Sequence, residues 1–178
     1  YNLNILKDQN SEIIVSKINI SLFDSGIKTN KLMRIRRSMK FLKNETDKLG
    51  VCYGDIFANI AFKKELLNFK KKNIDGIAVG YKERSPFGHI NVEKNLIKNF
   101  YEKPLMKDPI NIGFYFFKKN LFLNNKINSN NDLESDFLPE LSKMNKLACH
   151  IHNGYHFTVN NQKDLIEVKQ LYKKNKNF

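Results

Sequence analysis

The spacing of apolar positions divides the first half of the chain into alternating strands and helices. Short apolar runs rich in β-branched residues predict strands, and apolar residues three and four positions apart predict helices. In chain order the predicted elements are strand Ile13–Ile20, helix Lys31–Leu42, strand Leu49–Tyr53, helix Phe62–Phe69 and strand Ile77–Tyr81. This order is typical of a parallel sheet with helices on its faces.

The second half of the chain has a different pattern, in which strands follow one another with short connections. The predicted strands are His89–Val92, Leu96–Tyr101, Ile110–Phe117 and Leu147–His152. Asn131–Asp132 can cap a helix that ends near Met144. Asn160 and Asn161 are capping candidates for a final helix, which has Asp164 in its first turn.

Together these elements predict an α/β fold with a mixed, mostly parallel sheet flanked by helices. A length of 178 residues suits one domain with a sizeable core, so residues 1–178 are predicted to form a single domain. No apolar run approaches the roughly 18 to 20 residues of a membrane-spanning helix, so no membrane contact is predicted.

Cys52 and Cys149 lie far apart and outside any ligand spacing, which indicates two buried thiols in a cytoplasmic protein.

The net charge of +13 raises the hypothesis of a nucleic-acid-binding protein. Its lysines, however, are spread along the whole chain and interleaved with asparagine, as on a solvated surface. One denser cluster contains Arg34, Arg36 and Arg37. No aromatic and basic motif of the known RNA- or DNA-binding modules is present, so no specific nucleic-acid partner is predicted.

Three short segments at predicted strand ends could carry chemistry. Gly54-Asp55 follows a buried strand, where glycine permits close backbone approach and a carboxylate can hold Mg²⁺ against phosphates. Glu102-Lys103 closes another strand and offers an acceptor for sugar hydroxyls beside a point charge for phosphate. Asn111 and Gly113 lie within an apolar strand, as at a ligand contact. Each segment has a plainer alternative. Asp55 could simply cap a turn, Glu102-Lys103 could be an ordinary exposed turn, and Asn111 with Gly113 could form a plain β-bulge.

Three histidines near the end of the chain are candidate metal ligands. His150 and His152 share one face of a predicted strand, and His156 follows shortly after. No carboxylate or cysteine joins them at a suitable spacing, so the sequence does not predict a structural metal site.

Taken in order, several short motifs match a known family pattern. They are Asp24-Ser25-Gly26 with Thr29, Arg34-Ile35-Arg36-Arg37, Lys43-Asn44-Glu45-Thr46, Tyr53-Gly54-Asp55, Phe87-Gly88, Glu102-Lys103-Pro104, Ile110-Asn111 with Gly113-Phe114, and His152-Asn153-Gly154-Tyr155. With these motifs the chain resembles the sugar-1-phosphate nucleotidyltransferases, or sugar-nucleotide pyrophosphorylases, and most closely the glucose-1-phosphate cytidylyltransferases. The similar elements run from about residue 23 to residue 171.

The resemblance implies a Rossmann-like nucleotidyltransferase fold and a reaction between two phosphorylated substrates. A sugar 1-phosphate oxygen would attack the α-phosphorus of a nucleoside triphosphate and release pyrophosphate, with charge neutralised by Mg²⁺ and cationic side chains. The family's opening Gly-rich loop has no counterpart here, so the resemblance also implies a chain truncated before its first βα unit. The same resemblance implies a cytoplasmic location and a role in polysaccharide biosynthesis. It also leaves a homo-oligomer as one alternative.

The resemblance also assigns roles to individual residues. Asp55 would hold the metal, with Asn160 at the second metal position, or Thr158 there if the guanylyl pattern is the better guide. Glu102 would contact sugar hydroxyls and Lys103 the sugar phosphate. The remaining implied substrate-binding residues are Gly54 beside the metal position, Asn111 and Gly113 at the sugar pocket, and Arg34 near the nucleotide.

Departures from the family pattern keep other functions open. Leu32-Met33 replaces a Gly-Gly pair, Ile112 replaces the first glycine of an Asn-Gly-Gly motif, and Asn160 replaces a carboxylate. A catalytically weak homologue that binds a sugar phosphate is therefore one alternative. Guanylyl transfer to a mannose- or heptose-type phosphate is another, because residues 132–141 also resemble those enzymes.

Overall fold

The fold is known from a computed structural model of the chain. Its described residues are 23–42, 47–60, 69, 73–123 and 128–174, together with the backbone of two short strands at 2–4 and 17–19. The strands are β1 (Asn2–Asn4), β2 (Lys17–Asn19), β3 (Lys48–Cys52), β4 (Ile56–Ala58), β5 (Gly76–Tyr81), β6 (His89–Glu93), β7 (Leu96–Tyr101), β8 (Ile110–Lys118), β9 (Leu147–His152) and β10 (His156–Thr158). The α-helices are α1 (Lys31–Ser38), α2 (Leu138–Lys143) and α3 (Gln162–Lys174).

Shorter helical turns extend these elements. A 3₁₀ turn at Met39–Phe41 follows α1, another at Lys119–Phe122 follows β8, and a π-helical turn at Leu133–Phe137 precedes α2. The side chain of Asp132 caps the π-helical turn by accepting from the backbone N–H of Glu134 at 3.0 Å. The predicted helix after Asp132 is thus confirmed, although its first turn is wider than an α-helix.

The central sheet has four strands in the order β3-β8-β5-β9. Strand β8 is antiparallel to both β3 and β5, whereas β5 and β9 are parallel. The predicted mixed sheet flanked by helices is confirmed, and β3, β5 and β9 run in one direction as expected. The sheet has more antiparallel pairing than predicted. The chain leaves β5, forms the β6–β7 hairpin and returns as β8, which runs in the opposite direction and lies between β3 and β5.

Most predicted elements within the described residues are confirmed to within one or two positions. The strands β3, β5, β6, β7, β8 and β9 lie where the apolar runs placed them. The helix from Lys31 becomes a 3₁₀ turn after Ser38. Phe69 is helical and buried, but the rest of the predicted helix Phe62–Phe69 lies outside the described residues, as do Lys43–Thr46 and most of Ile13–Ile20.

The core lies on both faces of the sheet, and β8 supplies side chains to each. Tyr115 and Phe117 point into a cluster that includes Leu32 from α1 and Leu133. The alternate residues of β8 point into a second cluster with Ile77 and Val79 of β5; they are Ile112, Phe114 and Phe116. A central strand buried on both faces reads as a continuous apolar run, which is why β8 could be found from sequence.

The start of α3 is closed by a reciprocal pair of side chains. Asn161 Oδ1 accepts from the backbone N–H groups of Lys163 at 2.9 Å and Asp164 at 3.1 Å. Asp164 Oδ2 in return accepts from the backbone N–H groups of Asn160 at 2.9 Å and Asn161 at 3.2 Å. This is a capping box, in which each side chain satisfies backbone donors that have no partner within the helix. The predicted cap at Asn161 is confirmed.

Removal of this cap has a measurable expected cost. Asn161→Ala is expected to lower the free energy of unfolding by about 1 kcal/mol, because two N–H groups of the first turn lose their acceptor. Urea unfolding of the variant measures this loss. Asn161→Ser retains an acceptor and is expected to stay close to the wild type. Equal stability of all three proteins would show that the cap contributes nothing.

The two cysteines differ from the sequence expectation. Cys52 and Cys149 are exposed and form no disulfide with each other, so the prediction of two buried thiols was wrong. Cys52 ends β3 and Cys149 lies on β9, which are the two edge strands of the four-stranded sheet. Apolar runs locate strands, but they do not tell an edge strand from a central one. No helix among the described residues is long and apolar enough to cross a bilayer.

Candidate functional site

The candidate residues gather at one edge of the central sheet. This edge contains the carboxyl ends of β3, β5 and β9, together with the start of β8, because β8 runs in the opposite direction. The backbone N–H of Tyr53, just after β3, donates to the carbonyl of Gly113 on β8 at 3.2 Å. Ligands of α/β proteins bind at the carboxyl ends of strands, so this edge is the candidate active site.

Asp55 is exposed in the turn that joins β3 to β4. Strand β4 pairs with β10, with Ile56 opposite Thr158. The ladder is extended by the backbone N–H of Val159, which donates to the carbonyl of Asp55 at 2.7 Å. Asn160, which is also exposed, is the next residue, so the pairing brings together the two positions predicted to hold a metal.

This pair can contribute one carboxylate and one amide oxygen to a divalent ion. Mg²⁺ is typically held by one or two carboxylates, with substrate phosphate oxygens and water completing its shell. The exposed Asp55 carboxylate and Asn160 amide are donors of this kind, carried on neighbouring segments of backbone. Within the described ranges, no group of three or more His, Cys, Asp or Glu side chains comes together as a metal cluster.

Gly54 leaves open space next to Asp55. A Cβ atom at Gly54 would meet no other atom within 4 Å. The backbone there is accessible from outside, so a ligand can approach it closely. Binding of a ligand at this Gly-Asp turn stays a prediction.

Asn111 and Gly113 lie at a β-bulge near the start of β8. The pairing between β5 and β8 shifts register between Ala78 and Gly80. Gly113 has a φ of +68°, and a Cβ there would lie 2.6 Å from the Tyr53 ring and 2.7 Å from Ile56 Cδ1. Both the strained backbone and the close neighbours require glycine. A β-bulge is therefore present at this point, and Asn111 remains exposed beside it.

The Asn111 amide is held by two partners on its own strand. Asn111 Oδ1 accepts from the Gly113 backbone N–H at 3.1 Å, and Asn111 Nδ2 donates to the Tyr115 hydroxyl oxygen at 2.5 Å. The Tyr115 hydroxyl in turn lies 3.4 Å from that of Tyr53. Burial raises the pKa of Tyr115, so its phenol stays protonated near neutral pH. Sequence reasoning gave neither tyrosine a role of its own, although Tyr53 was part of the Tyr53-Gly54-Asp55 motif, because each lies in a run that predicts only an apolar strand.

Lys31 and Glu134 add an ion pair next to these tyrosines. Lys31 Nζ lies 2.6 Å from Glu134 Oε1 and 5.1 Å from the centroid of the Tyr53 ring. The hydrogen bond to Glu134 raises the pKa of Lys31, so the lysine is charged. The pair joins the start of α1 to the π-helical turn. Sequence reasoning missed it, because its members are 103 residues apart.

Glu102 and Lys103 lie in the bend after β7, at the base of the β6–β7 hairpin, and both are exposed. Lys103 has a φ of +45°, and its carbonyl accepts from Arg84 Nη1 at 3.3 Å. Arg84 also pairs with Leu105 in an isolated β-bridge, which fixes the base of the hairpin close to the end of β5. In the described part of the chain, no hydrogen bond joins Glu102 or Lys103 to Asp55.

The side chain of Arg34 is directed at the loop before α1. Its Nε donates to the Thr29 carbonyl at 2.7 Å, its Nη1 to Ser25 Oγ at 2.9 Å and its Nη2 to the Ile27 carbonyl at 3.1 Å. A guanidinium has five N–H donors, so two are not used by these contacts. Arg34 also lines an open cavity of about 440 Å³ between α1 and β3. The structure thus gives Arg34 a role in holding the loop.

Loss of these contacts is expected to loosen the loop. Arg34→Lys keeps the charge but cannot reproduce three donors in a planar arrangement. We expect a loss of about 1–2 kcal/mol in the free energy of unfolding and faster proteolysis between residues 24 and 30. Limited proteolysis with mass spectrometry measures the second effect. Lys28→Ala, an exposed cation in the same loop, is the matched control, and equal cleavage of all three proteins would contradict the assignment.

The histidines form a small polar group at the carboxyl end of β9. His152 Nε2 donates to the Tyr155 carbonyl at 3.0 Å, and the ring of Tyr81 lies 5.0 Å from that of His156. Burial lowers the pKa of His156, with the opposing charge of Glu83 as a smaller influence, so His156 is neutral at neutral pH. These contacts give His152 a structural role in the turn after β9.

Comparisons with known proteins agree on the family. The model of the nucleotidyl transferase family matches residues 3–175. A probable glucose-1-phosphate cytidylyltransferase of Bacillus subtilis (strain 168) is 28% identical over 153 residues, which are 86% of this chain and 59% of that protein. A putative mannose-1-phosphate guanyltransferase of Sulfolobus acidocaldarius is 33% identical over 110 residues, which are 58% of this chain and 30% of that protein.

The fold is similar to that of a solved structure. A putative glucose-1-phosphate thymidylyltransferase of Bacillus anthracis, solved in complex with a sucrose, superposes with a TM-score of 0.57 at 20% identity. The match covers 85% of this chain and 64% of that chain. The chain thus spans less than two thirds of the length of these relatives. Since the family model matches nearly the whole chain, the protein belongs to the nucleotidyl transferase family.

Proposed function

We propose that the protein transfers a nucleotidyl group from a nucleoside triphosphate to a sugar 1-phosphate and releases pyrophosphate. The observation that carries this proposal is the exposed Asp55 in a Gly-Asp turn at the carboxyl edge of the sheet, with Asn160 beside it. Family membership over residues 3–175 supports the same reaction. CTP and glucose 1-phosphate are the first substrate pair to test, because the Bacillus subtilis relative is a probable glucose-1-phosphate cytidylyltransferase.

In this reaction the protein mainly orients the substrates and offsets their charge. Asp55 and Asn160 would hold one Mg²⁺ ion, which would supply positive charge against the triphosphate. Gly54 lets the phosphates approach the backbone, and the Lys103 ammonium would contact the sugar phosphate. The Glu102 carboxylate would accept hydrogen bonds from sugar hydroxyls.

The remaining residues complete two substrate pockets. Asn111 and Gly113 would border the sugar, since the exposed amide lies at the same sheet edge as Asp55. Arg34 would lie near the nucleotide, where its two unused N–H groups can meet an anion. A nucleotide sugar is the substrate of a glycosyl transfer, so we place the reaction before polysaccharide synthesis. We also propose a cytoplasmic location, as the resemblance to the family implies.

Pyrophosphate release tests this proposal. The full-length protein would be incubated with Mg²⁺, each of the four nucleoside triphosphates and a panel of sugar 1-phosphates, with omission of the sugar phosphate as the control. Release that needs both substrates, with one triphosphate clearly preferred, is the expected result. Release without a sugar phosphate would indicate a triphosphate hydrolase, and no release with any pair would refute the transfer.

Guanylyl transfer to a mannose-type phosphate is the second candidate. It is favoured by the 33% identity with the putative mannose-1-phosphate guanyltransferase over 110 residues. The same panel separates the two candidates, because GTP with mannose 1-phosphate would then be the preferred pair.

A homologue that binds a sugar phosphate but transfers slowly is the third candidate. Asn160 in place of a carboxylate favours it, because the site then has less charge for Mg²⁺. Two other departures from the family pattern serve packing, since the Leu32 side chain is 0% exposed and that of Ile112 is 2% exposed. Calorimetric binding of a sugar 1-phosphate without Mg²⁺-dependent pyrophosphorolysis of the nucleotide sugar would identify this case.

A further inference from the structure

A buried tyrosine is hydrogen-bonded to an exposed amide at the candidate site. The amide of Asn111 has two ends, and each is fixed: Oδ1 by the Gly113 N–H and Nδ2 by the Tyr115 hydroxyl oxygen. Asn111 itself is exposed, whereas Tyr115 is 1% exposed. The amide therefore has an accessible side, although both its polar atoms are already engaged.

Each amide atom keeps one further hydrogen-bonding position. Nδ2 carries two N–H donors and Oδ1 has two lone pairs, and the described contacts use one of each. The amide thus offers one donor and one acceptor side by side. Two neighbouring sugar hydroxyls match this arrangement, because a hydroxyl can both donate and accept.

We propose that Tyr115 is a positioning residue for the sugar, which holds the Asn111 amide so that its second N–H and second lone pair face two sugar hydroxyls. This inference rests on the proposed function. Without the Tyr115 hydroxyl, the inner N–H of the amide has no acceptor, and only the Gly113 N–H still holds Asn111, through Oδ1. The NH₂ end is then less firmly placed, and the sugar hydroxyl that it contacts would lose part of that hydrogen bond.

The surroundings of Tyr115 suit such a role. Its ring is stacked on that of Phe117 at 5.6 Å between centroids and meets the Tyr53 ring edge-on at 6.0 Å. These contacts fix the phenol in place, and its own proton can be donated to the Tyr53 hydroxyl. A rigid, protonated phenol gives Asn111 an acceptor of constant position.

Tyr115→Phe removes only the hydroxyl and keeps the ring packing. We expect this single variant to raise KM for the sugar 1-phosphate about 5- to 10-fold over the wild type, which is the effect of losing one neutral hydrogen bond. The kcat value and KM for the triphosphate should stay within about twofold. Tyr172→Phe, on the exposed face of α3, is the matched control and should leave all three parameters unchanged.

A double-mutant cycle tests whether Tyr115 acts through Asn111. Asn111→Ala alone is expected to raise KM for the sugar 1-phosphate at least as much as Tyr115→Phe does. In the Asn111→Ala background, Tyr115→Phe should then have no further effect on KM, because no amide is left to orient. Additive effects would show that Tyr115 acts independently, and they would overturn the proposal.

A measurement without substrate separates this proposal from the function on which it rests. In ¹⁵N-correlated NMR spectra, the side-chain NH₂ signals of Asn111, identified by their loss in Asn111→Ala, should shift and exchange faster in Tyr115→Phe. Unchanged NH₂ signals would refute the positioning role even if the enzyme is active. An inactive wild type with the expected NMR change would instead refute the function. If Tyr115→Phe raised KM for both the sugar 1-phosphate and the triphosphate and also lowered Tm, the variant would be structurally damaged in general, and this would overturn the proposal too.

Discussion

Replacement of Asp55 by asparagine is expected to lower kcat/KM for nucleotidyl transfer by about 10³-fold, because under the proposed function Asp55 is the charged ligand of the Mg²⁺ ion. The change keeps the size of the side chain and removes one negative charge. Asp55 is exposed, and its described backbone hydrogen bond uses the carbonyl, so stability should not change. Initial rates of pyrophosphate release at several Mg²⁺ concentrations measure the effect, and a higher Mg²⁺ requirement in the variant is expected.

The matched control for this prediction lies at the other end of the same strand. Asp47 directly precedes β3, is exposed and loses the same charge in Asp47→Asn, but it lies far along the strand from the candidate site. We expect this variant to keep wild-type activity. Transfer by Asp55→Asn at more than a third of the wild-type rate would show that Asp55 does not hold the metal.

The second large effect concerns the fold beneath the site. Gly113→Ala is expected to lower the free energy of unfolding by about 3 kcal/mol. One part is the φ of +68°, which an L side chain adopts at a cost of about 1–2 kcal/mol. The other part is steric, since the new Cβ would lie 2.6 Å from the ring of Tyr53. Relief of that clash must displace the side chains of Tyr53 and Ile56, on either side of Asp55, or shift β8 itself.

Gly54→Ala is the matched control for stability, because a Cβ at Gly54 meets nothing within 4 Å. Urea unfolding should show a loss of stability for Gly113→Ala and a change within about 0.5 kcal/mol for Gly54→Ala. Equal midpoints for Gly113→Ala and the wild type would mean that the bulge is not formed as described.

The sequence predicted those features that depend on neighbouring residues. Apolar runs located β5 and β8, because strands buried in a sheet read as continuous apolar stretches. Local capping chemistry located the start of α3 at Asn161. The position of Asp55 after the end of β3 also followed, since a Gly-Asp pair after an apolar run marks a strand end, although β3 is a half-buried edge strand and not the buried strand that was predicted.

Other features depend on contacts between distant segments and could not be predicted. The placement of β8 between β3 and β5 was missed, and with it the exposure of Cys52 on an edge strand. The ion pair of Lys31 with Glu134 was also missed. The link from Asn111 to Tyr115 spans only four residues, but it forms because the bulge at Gly113 turns both side chains toward each other.

The most direct test of the proposed function follows both products in one sample. ³¹P NMR of the full-length protein with Mg²⁺, CTP and glucose 1-phosphate, or GTP and mannose 1-phosphate, shows each phosphorus atom separately. We expect the sugar 1-phosphate signal to be replaced by the two coupled phosphorus signals of a nucleotide sugar, with pyrophosphate formed in an equal amount. An unchanged sugar 1-phosphate signal with every triphosphate, in a protein that is folded, would contradict the proposed function.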